Sequence, residues 1–143
     1  CRSLYYKTSI SQARLINSYN DLLLKTDIPK IPQLGNVYHY PKRTPDDGKI
    51  KWNSKTEDIC QLVRAVTHPY PGAFTMLKNQ KVKIWRCQNF GNNIFSELVQ
   101  VGEVIFISSG EPKEFVVKTG SGTVLITEYD SDLNISIGDK FDF

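Results

Sequence analysis

Residues 64–74 read RAVTHPYPGAF, and the whole fold divides around them. Pro69 and Pro71 fix φ and donate no backbone hydrogen bond, so the stretch can be neither helix interior nor central strand. On its N-terminal side, Ile59, Leu62, Val63 and Val66 recur at i, i+3, i+4 and i+7, which predicts an amphipathic helix that Pro69 stops. On its C-terminal side, from Val82 onward, the hydrophobic period becomes two. The corner is therefore expected to be stiff. Gly72 would permit close backbone approach, Phe74 would seal the join, and Tyr70 would stand as a rigid aromatic plate between two prolines.

Working back from the corner, Ser54-Lys55-Thr56-Glu57 has the form of a capping box for the helix just described. Ile50 and Trp52 alternate ahead of it, and Trp52 is expected to be buried together with Phe74. Pro45-Asp46-Asp47-Gly48 predicts a turn, with aspartate side chains bonding locally and Gly48 free to take positive φ. The preceding stretch DIPKIPQLGNVYHYPKRTPDDG carries four prolines and is expected to run extended, pinned by Ile28, Ile31, Val37 and Tyr40. Earlier still, Ser9-Ile10-Ser11-Gln12 suggests another capping box. Leu15, Tyr19, Leu22 and Leu23 then follow at helical spacing, predicting a helix from Ser11 to about Leu24.

Working forward, KVKIW, EVIFIS, EFVVKT and TVLITEY are short strands, and Lys118–Thr123 (KTGSGT) is a hairpin tip. IGDKFDF at the end is a further strand candidate. Short strands of this kind hide their edges in a small Greek-key or OB-like barrel. The expected fold class is α+β, a helical and extended first part followed by a small antiparallel OB-like β-barrel.

Composition narrows the function. A 143-residue chain with 40% hydrophobic residues can bury a real core. A net charge of +3 is far from the basic excess of a dedicated DNA-binding domain. No apolar run approaches the roughly 18–20 residues needed to cross a bilayer, so no membrane partner is expected. The three cysteines show no framework spacing, and Cys60 and Cys87 read as ordinary buried thiols in a reducing cytoplasm. His39 and His68 stand alone and no C-x-x-C exists, so no metal site is expected. The chain opens on Cys1, with Leu4, Tyr5 and Tyr6 in place of a polar lipoprotein tether, which suggests a fragment.

No G-x-S-x-G, phosphate-cradling glycine loop or readable Cys-His motif is present. Asp46 and Asp47 belong to a turn and read first as solvated turn formers. Arg43 could pair with Asp46 or grip an anion as a bidentate fork. Arg64 in the last turn of its helix suits the negative helix end, and His68 suits a helix-end cap. Tyr70 could be core or could stack on a base.

Taken in order, RTPDDGKIKW, LVRAVTHPYPGAF, KVKIWR, GEVIFI and VVKTGSGTVLI resemble the C-terminal half of folate-dependent formyltransferases. The likeness is nearest to the branch acting on nucleotide-linked aminosugars and runs from about Ser9 to Ile126. It implies that residues 1–78 are the tail of the catalytic domain with its linker, and that residues 79–143 are the OB-like C-terminal domain. In such enzymes formyl-tetrahydrofolate and an Asn, His and Asp set lie in a preceding Rossmann-like domain. This sequence has no Asn-x-His-x-Ser-x-Leu-Pro or Leu-Asp-x-Gly segment, so no catalytic residue is assigned here and the isolated chain is expected to be inactive. The resemblance places Arg43, Arg64, His68 and Tyr70 at the acceptor substrate.

The expected partner is a nucleotide-linked aminosugar, with a homodimer left open. An initiator methionyl-tRNA acceptor ranks below it, because that branch favours a PWPGA-like corner and a strongly basic β-domain, whereas TEYDSDLNISIGD is acidic. A non-enzymatic OB-like binding module is the reading from a different class.

Overall fold

The structure is a computed structural model that describes residues 2–25, 30–32, 34–91 and 99–142. It divides into two compact units, Arg2–Arg43 and Thr44–Phe143.

In the first unit, helix α1 spans Arg2–Ser18 and the short α2 spans Asn20–Leu23. The capping box expected at Ser9 is absent, because the hydroxyl is used inside the helix. Ser9 Oγ donates to the Tyr5 carbonyl at 3.1 Å, and Thr8 Oγ1 donates to that of Leu4 at 2.9 Å. The helix therefore begins well before Ser11. Tyr19, at φ −113° and ψ 14°, interrupts it. The expected apolar stripe is not buried, since Leu15, Tyr19 and Leu23 are exposed. Nor do Ile31, Val37 and Tyr40 pin the extended stretch; all three are exposed, Ile31 at 90%. Ile28 lies outside the described residues.

The second unit opens with a 3-10 turn at Pro45–Gly48, where Thr44 N donates to Asp47 Oδ2 at 2.6 Å. Gly48 is needed for space rather than for positive φ: a Cβ there would lie 2.9 Å from the Gly72 carbonyl oxygen. Helix α3 spans Thr56–Val66 and buries Ile59 and Val63, with Leu62 and Val66 packed at the margin, as its spacing predicts. Its N-terminus is not capped by Ser54. The cap comes from the distant hairpin tip, where Ser121 Oγ accepts from Thr56 N at 3.1 Å and Thr119 Oγ1 meets Thr56 Oγ1 at 2.7 Å. Gly120 N completes the joint by donating to the carbonyls of Trp52 and Ser54.

Five strands follow: β1 (Ala73–Leu77), β2 (Gln80–Gly91), β3 (Val104–Ile107), β4 (Phe115–Lys118) and β5 (Thr123–Asp130). They form one antiparallel sheet in the order β1-β2-β5-β4-β3. The last four match the strands expected from period two, and KTGSGT is the β4–β5 hairpin tip, with Lys118 opposite Thr123. Strand β1 is additional. It pairs with β2 through a two-residue turn in which Lys78 (φ 50°) and Asn79 (φ 64°) both take positive φ, the primed-turn geometry that matches strand twist. The division expected at 78/79 falls within this turn.

The final segment is not a strand; only Lys140 makes a bridge, to Glu103. It acts instead as a strap over both sheet edges. Val104 N donates to Asp139 O at 2.8 Å on the β3 side, and Asp142 N donates to Met76 O at 2.9 Å on β1. The sheet is thus curled and edge-protected without closing as a barrel, and the α+β class holds. Trp52 and Phe74 are buried, and Trp52 stacks on Phe141 with ring centroids 5.3 Å apart while its Nε1 donates to Thr75 Oγ1. Among the described residues no helix is long and apolar enough to cross a membrane.

Candidate functional site

The corner after α3 is held by three backbone bonds. Thr67 N donates to Val63 O at 3.1 Å, Tyr70 N to Thr67 O at 3.2 Å, and Gly72 N to Val66 O at 3.0 Å. The last bond turns the chain back into β1, where Phe74 O accepts from Ile50 N at 2.8 Å. Gly72 takes φ +89° directly against the Trp85 indole: a Cβ there would come within 2.7 Å of the ring, so no other residue fits.

Trp85 is the residue around which the corner is organised. Its ring stacks on His68 at 3.9 Å between centroids and 12° between planes. Its Nε1 donates to Asp130 Oδ2 on β5 at 2.8 Å, and the Lys83 ammonium sits 5.7 Å from its ring centroid. The neighbouring pair repeats the arrangement, with Lys81 Nζ 4.3 Å over the Phe74 ring. The β2 alternation turns Val82 and Ile84 into the core and leaves Lys81 and Lys83 exposed, with Trp85 half-buried. The alternation in KVKIW sets Trp85 on the face opposite Val82 and Ile84, but only the fold brings that face to Gly72 and His68.

Of the residues singled out from the sequence, Arg64, His68 and Tyr70 lie together along this one segment and all are exposed, Tyr70 at 50%. His68 is committed to the Trp85 stack rather than capping α3; the helix ends with the Thr67 amide bonded to Val63 O. Arg43 belongs to the first unit, in irregular exposed chain immediately before Thr44. The corner and the adjoining face of β2 thus present the Arg64 guanidinium, the Lys83 ammonium and the rings of His68, Tyr70 and Trp85. Such a set suits an anionic, flat-ringed ligand.

Away from the corner, the electrostatics are structural. Lys78 holds Asp139 at 2.7 Å, and that bond with the Ser136 amide keeps the Asp139 carboxyl below the usual carboxylate range against the opposing effect of burial. Burial pushes the Tyr129 hydroxyl up, with Glu111 adding to the effect. Among the described residues no cluster of three or more histidine, cysteine or acidic side chains is placed to hold a metal.

A curled antiparallel sheet, one helix packed on it and a rigid proline corner define a β-rich α+β module. Residues 42–134 match the family described as formyl transferase, C-terminal domain, and the chain belongs to that family. Over 86 residues, 59% of the chain, it is 37% identical to the bifunctional polymyxin resistance protein ArnA of Wigglesworthia glossinidia brevipalpis. It spans only 13% of that relative's length. Among solved structures, a variant of HypX from Aquifex aeolicus shares the fold with a TM-score of 0.57 at 19% identity. The likeness covers 83% of this chain and 20% of that one.

Proposed function

We propose that this chain is the C-terminal portion of a formyltransferase that moves a formyl group from formyl-tetrahydrofolate to the amine of a nucleotide-linked aminosugar. The observation that carries the reading is the family match over 42–134, which takes in the corner and all five strands of the sheet. The aminosugar acceptor is supported by the 37% identity to ArnA and by the charge and ring character of the corner.

On this reading the chain's own residues bind and orient the acceptor. Arg64 supplies a guanidinium fork for a diphosphate, and Tyr70 offers a ring face to the base. His68, held against Trp85, lies on the same segment. On the resemblance to folate-dependent formyltransferases, folate binding, the chemistry of formyl transfer and its oxyanion stabilisation belong to the family's Rossmann-like domain.

The test uses the complete gene product, assayed for formyl transfer to a nucleotide-linked aminosugar and, in parallel, to initiator methionyl-tRNA. Transfer to the sugar alone is the expected result, and transfer to tRNA alone would replace the acceptor. In the same protein Tyr70→Ala should weaken sugar-nucleotide affinity by ~1–3 kcal/mol with folate affinity unchanged. No change in either affinity would reduce the corner to a hinge. The chain of residues 1–143 by itself should transfer nothing.

A further inference from the structure

Cys60 on α3 and Cys87 on β2 face each other with their sulfurs 3.8 Å apart, and the Cys87 thiol donates toward Cys60 Sγ. We infer that this pair is an oxidisable site that closes a disulfide between α3 and β2, a covalent staple at the base of the corner.

The geometry is built independently of the sulfurs. Three residues before Cys60, Glu57 Oε1 accepts from Asn89 Nδ2 at 2.7 Å, and Asn89 stands two positions beyond Cys87 on β2. The helix and strand are therefore pinned in facing register by a polar contact that would survive loss of either thiol. A disulfide brings its sulfurs to about 2 Å, so closure requires each to move by roughly an ångström. Cys87 sits beside a register irregularity between Arg86 and Cys87 in the β2–β5 ladder, where the backbone is less constrained than in a regular pair. Both residues keep a residual 9% exposure.

Burial raises both thiols, and the Arg64 charge one turn further along α3 acts in the opposite direction at each.

With a low-molecular-weight disulfide as oxidant, one of the two thiols loses its proton and attacks one sulfur, forming a mixed disulfide and releasing one small thiolate. The other cysteine then loses its proton, attacks the protein sulfur of the mixed disulfide and releases the second. Two protein thiols are oxidised, one small disulfide is reduced to two thiols, and both protons pass to the departing thiolates. The closed loop of residues 60–87 contains Arg64, His68, Tyr70 and all of β1, so the staple fixes the helix end against the sheet and restricts the unfolded chain.

The test equilibrates the full chain with oxidised glutathione, alkylates the remaining thiols and maps the peptides. A second sample is refolded through a glutathione redox buffer, so that access to the buried thiols cannot limit the reaction. A Cys60–Cys87 linked peptide, with a melting temperature that rises by several degrees and falls back on reduction, is the expected result. Cys87→Ser should arrest the sequence as a glutathione adduct on Cys60 without that rise. Cys60 and Cys87 both remaining alkylatable after oxidative refolding, or either linked to Cys1 instead, would overturn the inference.

Discussion

In the first unit α1 leaves Leu4, Ile10, Leu15 and Ile16 exposed, whereas in the second α3 buries Ile59 and Val63 completely enough that each keeps 2% or less of its surface. Both segments carry apolar residues at helical spacing. The difference lies in what meets them. Beneath α3 lie β2 and the core residues Ile84 and Val82, and its first turn is bonded to a hairpin tip far along the chain. Among the described residues, the bonds seen for α1 run along the helix itself, through its main chain and the back-bonds of Thr8 and Ser9. Helices in water draw most of their stability from packing rather than propensity. Apolar spacing therefore announces a helix in both units but fixes a tertiary position in only one.

The sharpest way to break that contrast is to remove one large side chain from each unit. Trp52→Ala takes away a fully buried ring stacked on Phe141 and should destabilise the second unit by ~3–5 kcal/mol. Leu15→Ala should stay within about 0.5 kcal/mol. Denaturant titration followed by Trp85 fluorescence measures the first and by far-UV circular dichroism the second, and equal losses would mean that α1 is packed as tightly as α3. Gly120→Ala comes next. Its Cβ would be driven into the Asn53 carbonyl, forcing the β4–β5 tip away from the start of α3, at a cost of ~1–3 kcal/mol. Hydrogen exchange should then quicken at the Thr56 amide before it does in the sheet. Thr75→Val removes the partner of a buried indole N–H and should cost ~1–3 kcal/mol in the same titration.

These sites also mark how far the sequence could be read. The α3 stripe, the four later strands and the KTGSGT tip were all legible, because each rests on local periodicity or turn chemistry. Strand β1 was not. Ala73, Phe74, Thr75 and Leu77 are all buried, so the segment shows no alternation, and its hairpin turns on Lys78-Asn79 rather than on an Asn-Gly pair. The cap of α3 was misplaced because its acceptor, Ser121, is 65 residues distant while a plausible Ser54 stood nearby. At the corner, His68 and Tyr70 were visible through their prolines. Trp85 was not, because its role arises only when β2 folds back against Gly72. Contacts across the chain, not residue types, decided each of these.

The smallest expected effect sharpens the contrast from the side of the strap. Asp139 binds Lys78 in the β1–β2 turn and accepts from the Ser136 amide, so its carboxylate helps to hold the final segment against the sheet edge. Its folded-state pKa lies below the ordinary value, which means the folded protein favours the ionised form. That stabilisation is therefore present above the unfolded carboxylate pKa of about 3.9 and is lost as pH falls through the lower folded value. The Lys78 side chain is 62% exposed, and screening limits the ion pair itself to about 0.5–1 kcal/mol. Asp139→Asn should accordingly lower the melting temperature of the second unit slightly near neutral pH. The gap between variant and parent should close as the pH drops below about 3.9. A gap that persists unchanged into acid would assign the strap's hold to the backbone bonds of Asp139 and Asp142 alone, with the carboxylate charge contributing nothing.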